Sequence, residues 1–121
     1  MTKILVVDDS INELELISGY LRKSGYTVIV ATDAKEALSK AVEHQPNVIV
    51  TDLVMPGMNG LEMCRTLKKN PVTQRVPIVA CTSKSGEIDR LWAMKQGVNV
   101  YVTKPFTEDQ LVNAVRYSLS Q

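Results

Sequence analysis

Three aspartates and a lysine each stand where an apolar run stops. Asp8 and Asp9 follow "ILVV", Asp52 follows "NVIVT", and Lys104 follows "VYVT". A hydroxyl, Thr82, closes a further run, "PIVACT". If these runs are neighbouring strands, about 4.8 Å apart, the carboxylates crowd together. Like charges at that range repel unless cations intervene. Lys104 offsets one charge, and a hard divalent cation would offset others. Mg²⁺ takes oxygen ligands, needs only one or two carboxylates, and leaves positions open for water or phosphate oxygens. The residue types therefore point to a Mg²⁺ (or Mn²⁺) site with a phosphate nearby. Taken singly, each acid has a plainer reading, since aspartate is common at caps and turns: Asp9 as a helix cap, Asp52 as a partner of its own loop. The loop after Asp52, "LVMPGMNG", is punctuated by Pro56, Gly57 and Gly60.

The elements that must position these groups are legible as two alternating patterns. Five β-rich apolar runs cover 4–7, 27–31, 47–51, 77–82 and 100–103. They are continuous rather than alternating, as in parallel strands covered on both faces. Between them lie segments of helical period: Leu14, Ile17 and Leu21; Ala34, Ala37, Leu38, Ala41 and Val42; Leu61, Cys64 and Leu67; Ile88, Leu91 and Trp92; Leu111, Ala114, Val115 and Ser118. Each set shares one helix face and is expected to pack inward, Trp92 included. Expected starts are Ser10, Thr32 or Asp33, Asn59, Ser85 and Thr107, and Gly25, Pro46, Pro71 and Gly97 mark the stops. Strict β-α alternation predicts an α/β doubly wound parallel sheet with helices on both faces. In such sheets ligands sit at the carboxyl ends of the strands, where the acids, Thr82 and Lys104 fall.

The bulk numbers fit one domain over residues 1–121, with no linker, repeat or second domain expected. Net charge is +1, from 14 basic and 13 acidic residues, and no basic run exceeds Lys68-Lys69. That excludes the electrostatic footprint of a nucleic-acid binder. The two cysteines, Cys64 and Cys81, have no metal-ligand spacing and are expected as buried thiols, which suits a reducing compartment. The N-terminus shows neither a signal peptide nor a membrane span, so a cytoplasmic chain is expected.

"VVDDS", "TDLVMPGMNG", "VACTS" and "VTKPF", in that order, resemble the receiver domain of two-component response regulators, most of all the stand-alone CheY-like type. The resemblance implies a (βα)5 flavodoxin-like fold with strand order 2-1-3-4-5 and no output domain. It implies Asp52 as phosphoacceptor, and Asp8, Asp9, Asp52 and the carbonyl of Val54 as metal ligands. Lys104 would contact the phosphoryl group, Thr82 would be the switch hydroxyl and Tyr101 the switch aromatic. The phosphodonor would be a CheA-like histidine kinase. A downstream protein would read the face of the fourth helix, fifth strand and fifth helix. The chain is expected to phosphorylate and dephosphorylate itself rather than turn over as an enzyme, as a monomer or weak dimer, with neither nucleic acid nor membrane as partner. Val54 and Lys84, two residues beyond Asp52 and Thr82, are expected to border the path of the hydrolytic water and set phosphoryl lifetime. "NELELISGYL" and "TSKSGEIDRLWAMKQG" resemble the receivers of type IV pilus chemosensory systems, of the PilH and PilG kind, which implies motility control.

Three other readings compete. A flavodoxin-like binder would carry a hydroxyl-rich phosphate loop where this chain has "DDS". A Mg²⁺-dependent aspartyl phosphatase would need a second acid two residues past its nucleophile, where Val54 stands. A receiver acting as a phosphate sink would drain a shared kinase without signalling, and its sequence would look the same.

Overall fold

The computed structural model describes residues 1–55 and 59–121. Apolar runs and helical segments alternate as β1 (Lys3–Val7), α1 (Ile11–Lys23), β2 (Thr27–Ala31), α2 (Ala34–His44), β3 (Val48–Thr51), α3 (Gly60–Lys69), β4 (Ile78–Thr82), α4 (Glu87–Lys95), β5 (Val100–Thr103) and α5 (Glu108–Leu119). The strands are all parallel, in the order β2-β1-β3-β4-β5. This is the doubly wound sheet that the alternation predicts.

Both sheet faces are covered, which explains why the strands read as continuous apolar runs. Side chains alternate along β1: Leu5 and Val7 join the core under α2 and α3, while Ile4 and Val6 join the core under α1 and α5. Cys64 lies in the first core and Cys81 in the second, both free and fully buried. Burial is the leading cause that pushes both thiols up to about 12. The outer strands β2 and β5 are only half-buried. On the outer edge of β2, Lys40 Nζ donates to the Val30 carbonyl at 2.7 Å.

Local chemistry fixes the helix ends. Ser10, Asp33, Asn59 and Thr107 each accept a backbone N–H at a helix start, and Thr107 with Gln110 completes a capping box. The fourth start differs from expectation: the N-cap of α4 is Gly86, not Ser85, and no side chain caps it. Gly60 opens α3 hard against the segment after β3. A Cβ there would lie 2.6 Å from Leu53 Cα and from the Leu53 carbonyl oxygen. No side chain fits without moving backbone.

The fourth apolar stripe points the wrong way for a core. Ile88 is 83% exposed, Leu91 57% and Trp92 54%, whereas Ala93 is the only buried residue of α4. Trp92 is thus not a core-packing residue. Spacing says which side chains share a face but not which face is covered, and here the small residue faces the sheet. Val42 likewise stands exposed beside the buried Ala37 and Ala41. Among the described residues, no helix is long and apolar enough to cross a membrane.

Candidate functional site at the carboxyl edge of the sheet

Register decides how close the acids come. Val7 pairs with Ala31 on one side and with Thr51 on the other, so Asp8 and Asp52 leave the sheet at the same level. Backbone bonds hold both residues there: Asp8 N donates to the Ala31 carbonyl at 3.2 Å, and Asp52 N to the Val7 carbonyl at 3.0 Å. On the far side, Thr82 pairs with Thr103, and Lys104 N donates to the Thr82 carbonyl at 2.8 Å. Lys104 therefore starts two strands away and reaches back across the edge. Its peptide bond to Pro105 is cis.

The Lys104 ammonium bridges two carboxylates, lying 2.9 Å from Asp8 Oδ2 and 3.0 Å from Asp52 Oδ2. The remaining oxygens accept backbone amides: Ser10 N bonds Asp8 Oδ1, and Val54 N bonds Asp52 Oδ1, each at 2.9 Å. Asp8 is only 1% exposed, Asp52 is part-buried and Asp9 is open to solvent. Burial opposes the charge on Lys104, but the hydrogen bonds it donates to Asp8 and Asp52, with the charges of those carboxylates, outweigh it and hold the ammonium up at about 12.

The donor set fits a hard divalent cation. One carboxylate oxygen from each of Asp8, Asp9 and Asp52 lies within 4.8 Å of the other two. Opposite ligands of an octahedral Mg²⁺ stand about 4.2 Å apart, so one ion can take an oxygen from each with small side-chain adjustment. Three carboxylates face one ammonium here, which leaves excess negative charge for a cation to neutralise. Pro56 and Gly57, expected to shape this loop, lie outside the described residues.

The predicted switch residues converge on Lys84 rather than on each other. Thr82 is fully buried, and its Oγ1 accepts the Lys84 N–H at 3.2 Å. The Tyr101 hydroxyl donates to the Lys84 carbonyl. Burial, then the charges of Asp89 and Asp52, raises the Tyr101 phenol. Tyr101, Lys84, Val54, Asp89 and Trp92 line one cavity of about 410 Å³. Sequence reasoning missed Asp89; its position in the first turn of α4, beside Glu87, was the available signal. It also missed the Ser10 and Val54 amides, because backbone donors carry no residue signature.

This fold, with an acid cluster and a reaching lysine at its carboxyl edge, defines a class. Residues 4–116 match the family model of the response regulator receiver domain, and the chain belongs to that family. It is 35% identical to protein PilH of Pseudomonas aeruginosa over 120 residues, covering 99% of each chain. Among solved structures, the chemotaxis protein CheY4 of Vibrio cholerae superposes with a TM-score of 0.93 at 31% identity, over 98% of this chain and 99% of that one. The receiver domain of the Francisella response regulator 1452 gives 0.91 at 28% identity, over 99% and 98%. The chain is a CheY- and PilH-like receiver of phosphorelay signalling.

Proposed function

We propose that Asp52 accepts a phosphoryl group from a phosphohistidine on a CheA-like histidine kinase, and that the aspartyl phosphate resets the face formed by α4, β5 and α5 for a downstream target. One observation carries this reading: a single ammonium, Lys104, touches both Asp8 and Asp52 within a three-carboxylate cluster. A carboxylate oxygen of Asp52 attacks phosphorus in line, forming the new O–P bond. The P–N bond breaks, and its electron pair returns to the imidazole nitrogen. Lys104 holds a phosphoryl oxygen and balances charge in the transition state, which is most of what this reaction asks of a protein. Asp8, Asp9, Asp52 and the Val54 carbonyl would hold Mg²⁺ or Mn²⁺, which neutralises phosphoryl oxygens and orients them when bound.

The product carries about −1.5 to −2 charges, on the phosphoester scale. The Thr82 hydroxyl then donates toward the phosphoryl group. Its lone pair turns away from the Lys84 N–H, and Tyr101, bonded to the same residue, moves with the segment. Two states exist in either condition, and phosphorylation shifts their populations. The likeness to PilH supports an output in motility control.

The test is phosphorylation by a small acyl-phosphate donor with Mg²⁺. Wild type is expected to acquire an acid- and base-labile phosphoryl group, and Asp52→Asn is expected to acquire none. Labelling that persists in Asp52→Asn overturns the assignment. Transfer from the kinase with no change in target binding would favour the sink reading.

A further inference from the structure

We propose that the amino edge of the sheet, opposite the acid cluster, holds a compact oxyanion of the phosphate class at the entrances to β3, β4 and β5. The inference goes beyond the role given to Asp52 and does not rest on it.

The same clasp occurs twice at this edge. Asn47 stands immediately before β3, and Asn99 immediately before β5. Asn47 N donates to the Lys3 carbonyl and Asn47 Oδ1 accepts the Lys3 N–H, both at 2.8 Å, where β1 begins. Asn99 N donates to the Ile78 carbonyl at 2.8 Å and Asn99 Oδ1 accepts the Ile78 N–H at 2.9 Å, where β4 begins. Each carboxamide oxygen is therefore engaged by a neighbouring strand. What each asparagine still offers is its NH2 group, which has no acceptor among the described residues. The Lys68 ammonium lies 3.3 Å from Asn99 Oδ1 and polarises that amide further.

Between the two clasps the chain enters β4, with Arg75 just ahead of it. Asn47, Arg75 and Asn99 line one cavity of about 330 Å³, and buried Ser118 of α5 closes its wall. The Ser118 hydroxyl donates to the Ala114 carbonyl at 2.9 Å. No acidic side chain lines this cavity among the described residues. Nor does Arg75 form an ion pair among them, with a side chain or with the terminal carboxylate. A guanidinium and two amide NH2 groups thus meet at one cavity with nothing to accept from them. That donor set is the complement of an oxyanion, which the guanidinium takes through two N–H groups at once. The strand order sets the size of the guest. Asn47 and Asn99 enter strands two places apart, about 10 Å. That is the width of one small tetrahedral anion with a hydrogen bond at either end. The three donor side chains are exposed, so water competes and binding is weak.

NMR of the intact chain, without divalent metal, tests this directly. Inorganic phosphate is titrated in, with sodium chloride adjusted to hold ionic strength constant. The NH2 signals of Asn47 and Asn99 and the Nε–H signal of Arg75 are expected to shift and saturate, with half-saturation at about 1 mM. The amides of Asp8, Asp52 and Lys104 are expected to stay in place. Arg75→Gln, at an exposed position, is expected to weaken phosphate about tenfold or more while the rest of its spectrum remains that of wild type. Succinate, longer and with a carboxylate at each end, forms the second arm and is expected to bind at least about tenfold more weakly than phosphate. Shifts that stay linear to the highest phosphate concentration overturn the proposal. So do saturating shifts at Asp8, Asp52 and Lys104 instead, which place the anion at the other edge. Undiminished binding by Arg75→Gln removes the guanidinium from the site and overturns it as well. Succinate that binds as tightly as phosphate overturns the compact class.

Discussion

Thr82 and Tyr101 hold opposite ends of the same residue: Thr82 Oγ1 accepts the Lys84 N–H, and the Tyr101 hydroxyl donates to the Lys84 carbonyl. A hydroxyl at the strand end and an aromatic on the next strand are thereby coupled through one residue of backbone. Tyr101→Phe should raise the exchange rate of the Lys84 amide proton although Tyr101 does not touch that proton. Thr82→Val should raise it further. Each substitution removes one hydrogen bond, worth about 0.5–1.5 kcal/mol. Amide exchange followed by NMR is the measurement. An unchanged Lys84 rate in Tyr101→Phe means the two side chains act separately.

The acid cluster predicts a metal response. A cation that binds the folded chain and not the unfolded one raises stability by linkage, about 2.7 kcal/mol at a hundredfold excess over its dissociation constant. Melting temperature should rise with Mg²⁺ in the millimolar range, and Asp9→Ala should blunt the rise while leaving Asp8 and Asp52 bridged by Lys104. A flat melting temperature in wild type would remove the site.

Phosphoryl lifetime should depend on the two side chains expected to border the water path. Val54 and Lys84 line one cavity. Val54 offers a water no hydrogen bond, and Lys84 carries an ammonium that can lie against a phosphoryl oxygen. Val54→Asn with Lys84→Glu should supply groups that position the water. A tenfold faster decay needs only about 1.4 kcal/mol of barrier. Decay after donor removal, in excess Mg²⁺, is the readout; equal or slower decay in the double variant rules these positions out.

The buried thiols predict alkaline sensitivity. An unfolded chain releases the protons of Cys64 and Cys81 above their ordinary value of 9.0, while the folded chain keeps them to about 12. Folded stability therefore falls as pH rises through that window. From pH 9 to pH 10 the loss is about 1 kcal/mol for each thiol. Urea midpoints at pH 8, 9 and 10 should show the slope in wild type and a flatter one in Cys64→Ala with Cys81→Ala. An identical slope would assign the loss to other groups.

The strands and the site edge were legible because they rest on composition. A run such as "ILVV" buries on both faces wherever it sits, and a charged residue at its end must stop at the rim. The helix stripes were legible only as spacing. Leu111, Ala114 and Val115 bury and Ile88, Leu91 and Trp92 do not, although both sets share the same period. What separates them is the neighbouring chain, which local sequence does not encode. The site followed the same rule. The acids and Lys104 were visible as types, but the bridging of Asp8 and Asp52 by one ammonium needed strand register. The hold of Tyr101 on a carbonyl had no signature at all.

The bridge at Lys104 also constrains when the site comes into being. Its bonds to Asp8 and Asp52 span 96 and 52 residues of chain. Closing loops of that length costs entropy that only the finished sheet repays. A chain growing on the ribosome displays Asp8, Asp9 and Asp52 long before residue 104 emerges, and until then the carboxylates lack the ammonium that joins them. The ammonium-bridged arrangement of the carboxylates thus forms only once β5 and Lys104 have joined the sheet, and a chain that has not reached residue 104 lacks it.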